Sequence, residues 1–321
     1  FLKKSLHKFD TFLSVKTIKA LSNLSIFEIG KTLSEVNESF LKEPHLVQFY
    51  NRYATYNGSS PYSTPGIMTV IQHLESHYGT YIPNGGMHNI TKSLYELAKR
   101  KGVIFNFNTF VSEIILKKNC AIGLVVDDKS LFFDTVISNM DIYPTYEKLL
   151  PTRKIPTNIK YQERSSSAVI FYWGISKRFQ NLDLHNVFFS KDYKNEFDSI
   201  FNKKSISNDP TIYVNITSKD IPTDSPENRE NWFVMVNTCC DSGQDWDLEV
   251  KKLKKIVLER LEGMLGESIS PFVEEEKILT PKTIEKMTNS YKGSLYGSSS
   301  NGLFSAFLRH PNFSRKIKNL Y

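Results

Sequence analysis

The chain has 321 residues, 40% hydrophobic and 23% charged, with a formal net charge of +7. That length allows one or two domains with a sizeable core, and the composition is that of a globular protein. No apolar run reaches the ~18 residues of a transmembrane helix, the three cysteines Cys120, Cys239 and Cys240 lack metal-ligand spacing, and the scattered lysines carry no nucleic-acid-binding motif, so nucleic acid is set aside as a partner.

Residues 1–22 read as a basic amphipathic helix. Leu2, Leu6, Phe9 and Leu13 form an apolar stripe, and Lys3, Lys4, Lys8 and Lys19 a polar face. Such a helix either packs on its own domain or lies on anionic lipid. Residues 25–50 are expected to be helical with a break at Glu43-Pro44, because proline suits the first turn of a new helix. Tyr56 to Pro65 has the chemistry of a loop, and Gly66 to Tyr78 is helical again by spacing.

A turn at Pro83-Asn84-Gly85-Gly86 leads into a predicted helix from Asn89 to Lys101, where Ile90, Leu94, Leu97 and Ala98 recur at helical spacing and Gly102 marks the stop. Strands are predicted at Val103–Phe107, Val111–Leu116, Ala121–Val126 and Phe132–Ile137. The last ends at Ser138-Asn139, and such polar loops after buried strands are where open α/β sheets bind ligands.

A short helix from Tyr143 to Leu150 follows. Strands are then expected at Ser165–Ile175, Asn186–Phe189, Thr211–Thr217, Trp232–Thr238 and Phe272–Leu279. Helices are expected at Lys191–Phe201 and Asp247–Leu265. This mixture with long connections predicts an α+β domain whose sheet is mostly antiparallel. His73 and His77 share a helix face, but a solvated face explains them without a metal, and none is expected. Aromatic residues make up 13% of the chain, which suits either a Phe-rich core or a pocket for a long apolar ligand.

Uncommon combinations occur at Tyr56-Asn57-Gly58-Ser59-Ser60-Pro61-Tyr62, Pro65-Gly66, Tyr81-Ile82-Pro83-Asn84-Gly85-Gly86-Met87, Val111-Ser112-Glu113-Ile114 and Ser138-Asn139-Met140-Asp141. Downstream come Ser167 to Gly174, Asn215 to Ser218 and Gly293-Ser294-Leu295-Tyr296-Gly297. In order and spacing these stretches resemble the bacterial phytoene-desaturase family of FAD-dependent carotenoid oxidoreductases. The family's glycine-rich dinucleotide turn, GxGxxG, does not occur, and the chain stops at Asn319-Leu320-Tyr321, where the family continues into a glycine-rich flavin segment. An internal fragment is therefore expected, inactive by itself. It would hold the middle part of a Rossmann-like FAD domain and a substrate domain. Residues 1–80 would be a helical substrate- or membrane-facing part, 81–142 part of the FAD domain, 143–290 the substrate domain and 291–321 the return towards the FAD domain.

The resemblance implies that the backbone of Val111 meets the adenine of FAD, and that Gly85, Gly86, Met87, Asn139 and Met140 lie near the cofactor. Gly85 and Gly86 could equally cap a turn. It also implies that Glu43 and Arg52 border the substrate cavity, although a surface carboxylate and a structural ion pair account for them as well. The implied reaction removes hydride and proton from adjacent carbons of a carotenoid polyene. The hydride goes to the flavin, so the protein chiefly aligns the partners. A desaturase of cyclised or hydroxylated carotenoids, an isomerase, a saturase and a non-catalytic carotenoid- or lipid-binding module remain alternatives. A substrate insoluble in water implies peripheral contact with a membrane, and the cysteine usage fits the cytoplasm.

Overall fold

The computed structural model describes residues 28, 30–302, 305 and 309–321. The amphipathic pattern of residues 1–22 lies outside them. The described residues up to 79, with those between 300 and 308, form one compact unit, and residues 80–299 with 309–321 form another.

The first unit is helical. Helix α1 (Leu33–Phe40) starts at a capping box in which Thr32 and Glu35 satisfy each other's backbone N–H groups. It ends before Pro44, which opens α2 (Pro44–Asn51), so the expected break falls where the missing proline N–H costs least. Helix α3 (Thr69–Tyr78) completes the unit. The loop between α2 and α3 is held by residues distant in sequence. Ser60 N donates to Asn301 Oδ1 (2.9 Å), and Ser300 N donates to Ser59 Oγ (2.8 Å).

The second unit opens with the turn before α4 (His88–Arg100). A small antiparallel sheet follows, of β1 (Val111–Lys117), β2 (Cys120–Val126) and β3 (Lys129–Phe132), in that order. Two expected strands differ. Residues 103–107 form no ladder. Alternating residues become a strand only where a sheet edge is offered, and here Phe105 and Phe107 cluster instead on Tyr95 of α4, with centroids 4.6 and 5.9 Å away. The run 132–137 leaves the sheet after Phe132, and Val136 pairs with Leu320 through a parallel bridge.

The larger sheet comprises β4 (Ser167–Ile175), β5 (His185–Phe188), β6 (Ile212–Asn215), β7 (Glu230–Thr238) and β8 (Val273–Leu279), with order β5-β6-β7-β4-β8 and every pair antiparallel. Helix α5 (Tyr193–Asp198) lies between β5 and β6 in the chain. Central β4 is a nearly unbroken apolar run because it is covered on both edges and packed in the core. Helix α6 (Trp246–Leu265) presents Trp246, Val250, Leu253, Val257 and Leu261 to the same core, a single face at helical spacing. Each such apolar side chain contributes about 1.5–3 kcal/mol on burial. Helix α7 (Pro281–Thr288), capped by Thr280 and opened by Pro281, follows β8 and was not expected from the spacing of apolar residues. The whole is α+β, with antiparallel sheets and helices as expected.

Candidate functional site

Val111 and the adjacent pair Asn139 and Met140, from separate stretches of the sequence, line one cleft of about 390 Å3, with Ile114, Leu124 and Ile137 among its other walls. The β1–β2 register shifts between Val111 and Glu113, so the ladder is irregular just after Val111, which pairs with Val126. On the other side, residues 136–138 are pinned by residues 319–321. Val136 N donates to Asn319 O (2.9 Å), Tyr321 N to Val136 O (3.0 Å) and Ser138 N to Tyr321 O (2.7 Å). Immediately after Met140, Asp141 caps the next turn by accepting from Tyr143 N at 3.0 Å. Asn139-Met140 is thus a short link held at both ends. With Ile137 largely exposed, the cleft offers carbon surface to a flat ring and no charged side chain.

The Gly85-Gly86 pair makes a turn. Gly86 N donates to Pro83 O at 2.9 Å, and both glycines have positive φ, +78° and +86°. A Cβ on Gly85 would collide with the Asn89 side-chain amide, which donates to Asn84 O at 2.6 Å, whereas a Cβ on Gly86 would meet nothing. Met87 precedes α4 and is mostly exposed, and α4 buries none of its residues, leaving Ile90, Leu94 and Leu97 open. No hydrogen bond among the described residues joins this turn to the cleft of Val111, Asn139 and Met140.

Glu43 and Arg52 belong to the helical unit. Glu43 is the N-cap of α2: one carboxylate oxygen accepts from Leu46 N (2.8 Å) and the other meets His45 Nδ1 (2.7 Å). These two bonds hold its carboxyl below the usual range, the His45 contact most strongly. Arg52 is the C-cap of the same helix. Near them is a buried amide network that the sequence did not signal. Asn37 Nδ2 donates to Asn51 Oδ1 and Asn51 Nδ2 to Ser34 Oγ, both at 2.9 Å. Tyr50, Tyr53 and Tyr56 form an aromatic ladder with centroids 6.2 and 5.2 Å apart. Burial, with Glu75 beside it, holds the Tyr53 phenol well above its ordinary range. His73 and His77 stack at 5.2 Å.

A further pair was missed. Arg164 Nη1 lies 3.2 Å from Asp141 Oδ1, and both side chains are buried. The Gly293–Gly297 segment positions it: Leu295 N donates to Ser166 O, Ser165 N to Gly297 O, and Ser167 Oγ to Gly293 O. Gly293 has φ +68°, and a Cβ there would run into the Pro281 backbone, so this approach requires glycine. The available signal was an arginine heading the Ser165-Ser166-Ser167 run before a buried strand, with an aspartate closing Ser138-Asn139-Met140-Asp141.

A solved oxidoreductase from Methanosarcina mazei shares this fold, with a TM-score of 0.58 and 16% identity over 99% of this chain and 69% of that one. The chain belongs to the flavin containing amine oxidoreductase family, whose model matches residues 14–321. Among curated relatives, a 1-hydroxycarotenoid 3,4-desaturase from Flavobacterium sp. (strain P99-3) is 51% identical over all of this chain and 66% of its own length. A phytoene desaturase from Fusarium fujikuroi is 29% identical over 98% of this chain and 59% of its own. The chain therefore spans about three fifths to two thirds of the curated relatives it matches.

Proposed function

We propose that the whole protein is an FAD-dependent carotenoid desaturase. The observation that carries this reading is the 51% identity to a carotenoid desaturase along every residue of the chain. The cleft of Val111, Asn139 and Met140 supports it, because largely apolar walls without a charged side chain suit a planar ring such as adenine. These three residues would hold that end of the cofactor, Val111 through its backbone. Gly85, Gly86 and Met87 would approach the cofactor where a side chain on the backbone would obstruct it.

When bound, the flavin supplies a hydride acceptor. The chain's own part is alignment and exclusion of water. The developing cation is spread over a conjugated chain, so apolar and aromatic walls suffice. The half-exposed Phe49 and Tyr56, and the Tyr50–Tyr53–Tyr56 ladder, offer such a wall within the helical unit. In this reading Glu43 and Arg52 border the substrate.

The substrate would be a hydroxylated carotenoid drawn from a bilayer, with peripheral contact at the cytoplasmic face through the basic face of residues 1–22. Incubating the whole flavin-loaded protein with such a carotenoid should give a product lighter by two hydrogens and absorbing at longer wavelength. A product of unchanged mass would make it an isomerase, and a heavier one a saturase. Changing Lys3, Lys4 and Lys8 to Glu should release the protein from anionic vesicles; unaltered sedimentation would remove the lipid role of that basic face.

A further inference from the structure

A separate cleft of about 180 Å3 lies where residues 160–166 meet residues 200–204, 239–242 and 291–292. Four cationic side chains line it, Lys160, Arg164, Lys204 and Lys292, against one carboxylate, Glu163. Glu163 is engaged, accepting from Ser299 Oγ at 2.6 Å. None of the three lysines joins an ion pair among the described residues. Each instead holds its Nζ over a neighbouring ring: Lys160 over Tyr161 (5.4 Å), Lys204 over Phe201 (6.0 Å) and Lys292 over Tyr291 (5.5 Å).

A second, independent observation is at Arg164. The residue is nine-tenths buried, and its Nη1 is taken by Asp141. Its Nη2 is buried and has no hydrogen-bond partner. A buried guanidinium N–H without an acceptor is costly, so such a donor marks a place where an acceptor belongs.

We propose that this cleft binds a phosphate-class oxyanion, with Arg164 Nη2 donating from the buried side and Lys160, Lys204 and Lys292 neutralising its charge. With Arg164 balanced by Asp141, the lining retains a surplus of ammonium groups. A single carboxylate has one charge and two oxygens to offer them, whereas a phosphate or pyrophosphate dianion has more of both. The volume admits a group of headgroup size rather than a whole nucleotide. The same chemistry comes from soluble phosphates and from phospholipid headgroups. The site is independent of the desaturase reading, since it uses none of the residues assigned there.

The test is calorimetric titration of the flavin-loaded whole protein with pyrophosphate at low ionic strength. Saturable binding is expected, weakened about ten-fold or more in the Lys204→Gln/Lys292→Gln double variant, because charge-assisted hydrogen bonds are lost. Both lysines sit away from the core, so this variant should fold. Arg164→Lys, which keeps a positive charge beside Asp141 but removes Nη2, should also lose affinity while retaining its circular dichroism. Co-sedimentation with phosphatidylcholine vesicles, with and without phosphatidic acid, assigns the source. Phosphatidic-acid-dependent binding that pyrophosphate competes and the double variant loses indicates a headgroup site. Pyrophosphate binding without it indicates a soluble phosphate. No saturable binding by the wild type, or undiminished affinity in the double variant, overturns the proposal.

Discussion

Asp141 and Arg164 form a buried ion pair, 3.2 Å from Oδ1 to Nη1, with side chains 10% and 7% exposed. Asp141 also accepts from Tyr143 N at 3.0 Å and from Tyr291 N at 3.2 Å. One carboxylate therefore ties the turn after Asn139-Met140 to the head of β4 and to the segment before Gly293. The guanidinium carbon lies 4.9 Å from the Tyr291 ring centroid and 5.5 Å from that of Tyr143, so two aromatic rings flank it.

Removing one partner of such a pair strands the other. Asp141→Ala is expected to cost about 3–5 kcal/mol, because the buried guanidinium loses its counter-charge. Adding Arg164→Met should recover part of that loss. Urea unfolding of the two single variants and the double variant measures the coupling; additive losses would show the pair to be worth nothing as a pair.

The two glycines of the turn before α4 should respond differently. Gly85→Ala forces the Asn89 amide off Asn84 O and should destabilise the turn. Gly86→Val meets open space, so its penalty is the positive φ alone, about 1–3 kcal/mol. Melting and turnover per flavin-loaded molecule are both to be measured. If Gly86 borders the cofactor, turnover of Gly86→Val per folded molecule collapses, while melting falls only by what that strain costs. Normal turnover per folded molecule would leave the pair a turn and nothing more.

Burial pushes the Cys239 thiol up to about 11 and the Cys240 thiol up to about 12. Cys240 Sγ donates to Ser165 O at 2.8 Å, a bond only the neutral thiol can make. Both folded values lie above the ~8.5 of an unfolded cysteine. The folded state therefore holds these protons more tightly, and the stabilisation is complete below that value and lost as pH rises towards 11 to 12. Alkylation of Cys240, followed by peptide mapping, should be far slower at pH 8 than in the unfolded protein and accelerate with pH. Equal rates at pH 8 would refute a neutral Cys240 thiol held on Ser165 O.

Glu43 provides a discriminating pair of substitutions. Glu43→Ala removes the acceptor of Leu46 N and should fray the start of α2, with a small loss of stability. Glu43→Asn restores a capping oxygen without the charge and should restore melting. If capping is its whole role, turnover per folded molecule stays normal in Glu43→Asn. A stable Glu43→Asn protein with little turnover would instead assign the charge to the reaction.

The sequence by itself determined the elements whose signals are local. The proline break at Glu43-Pro44, the apolar face of α6 with Gly266 past its end, and the unbroken apolar run of β4 are each set by neighbours in the chain, through missing donors, helical period and burial on both faces. The family, too, was legible, because it resides in ordered short motifs. Tertiary structure decided what depends on a distant partner. Residues 103–107 have the alternation of a strand, yet among the described residues they join no ladder and pack on Tyr95. Val136 finds its partner in Leu320, 184 residues away in the chain, and this contact shapes one wall of the cleft holding Asn139 and Met140. The Asp141–Arg164 pair, and the cationic cleft beside Arg164, exist only because Gly293–Gly297 folds back along Ser165–Ser167. No spacing in the sequence encodes these meetings, since a charge or a hydrogen-bonding group does not mark which remote segment will approach it.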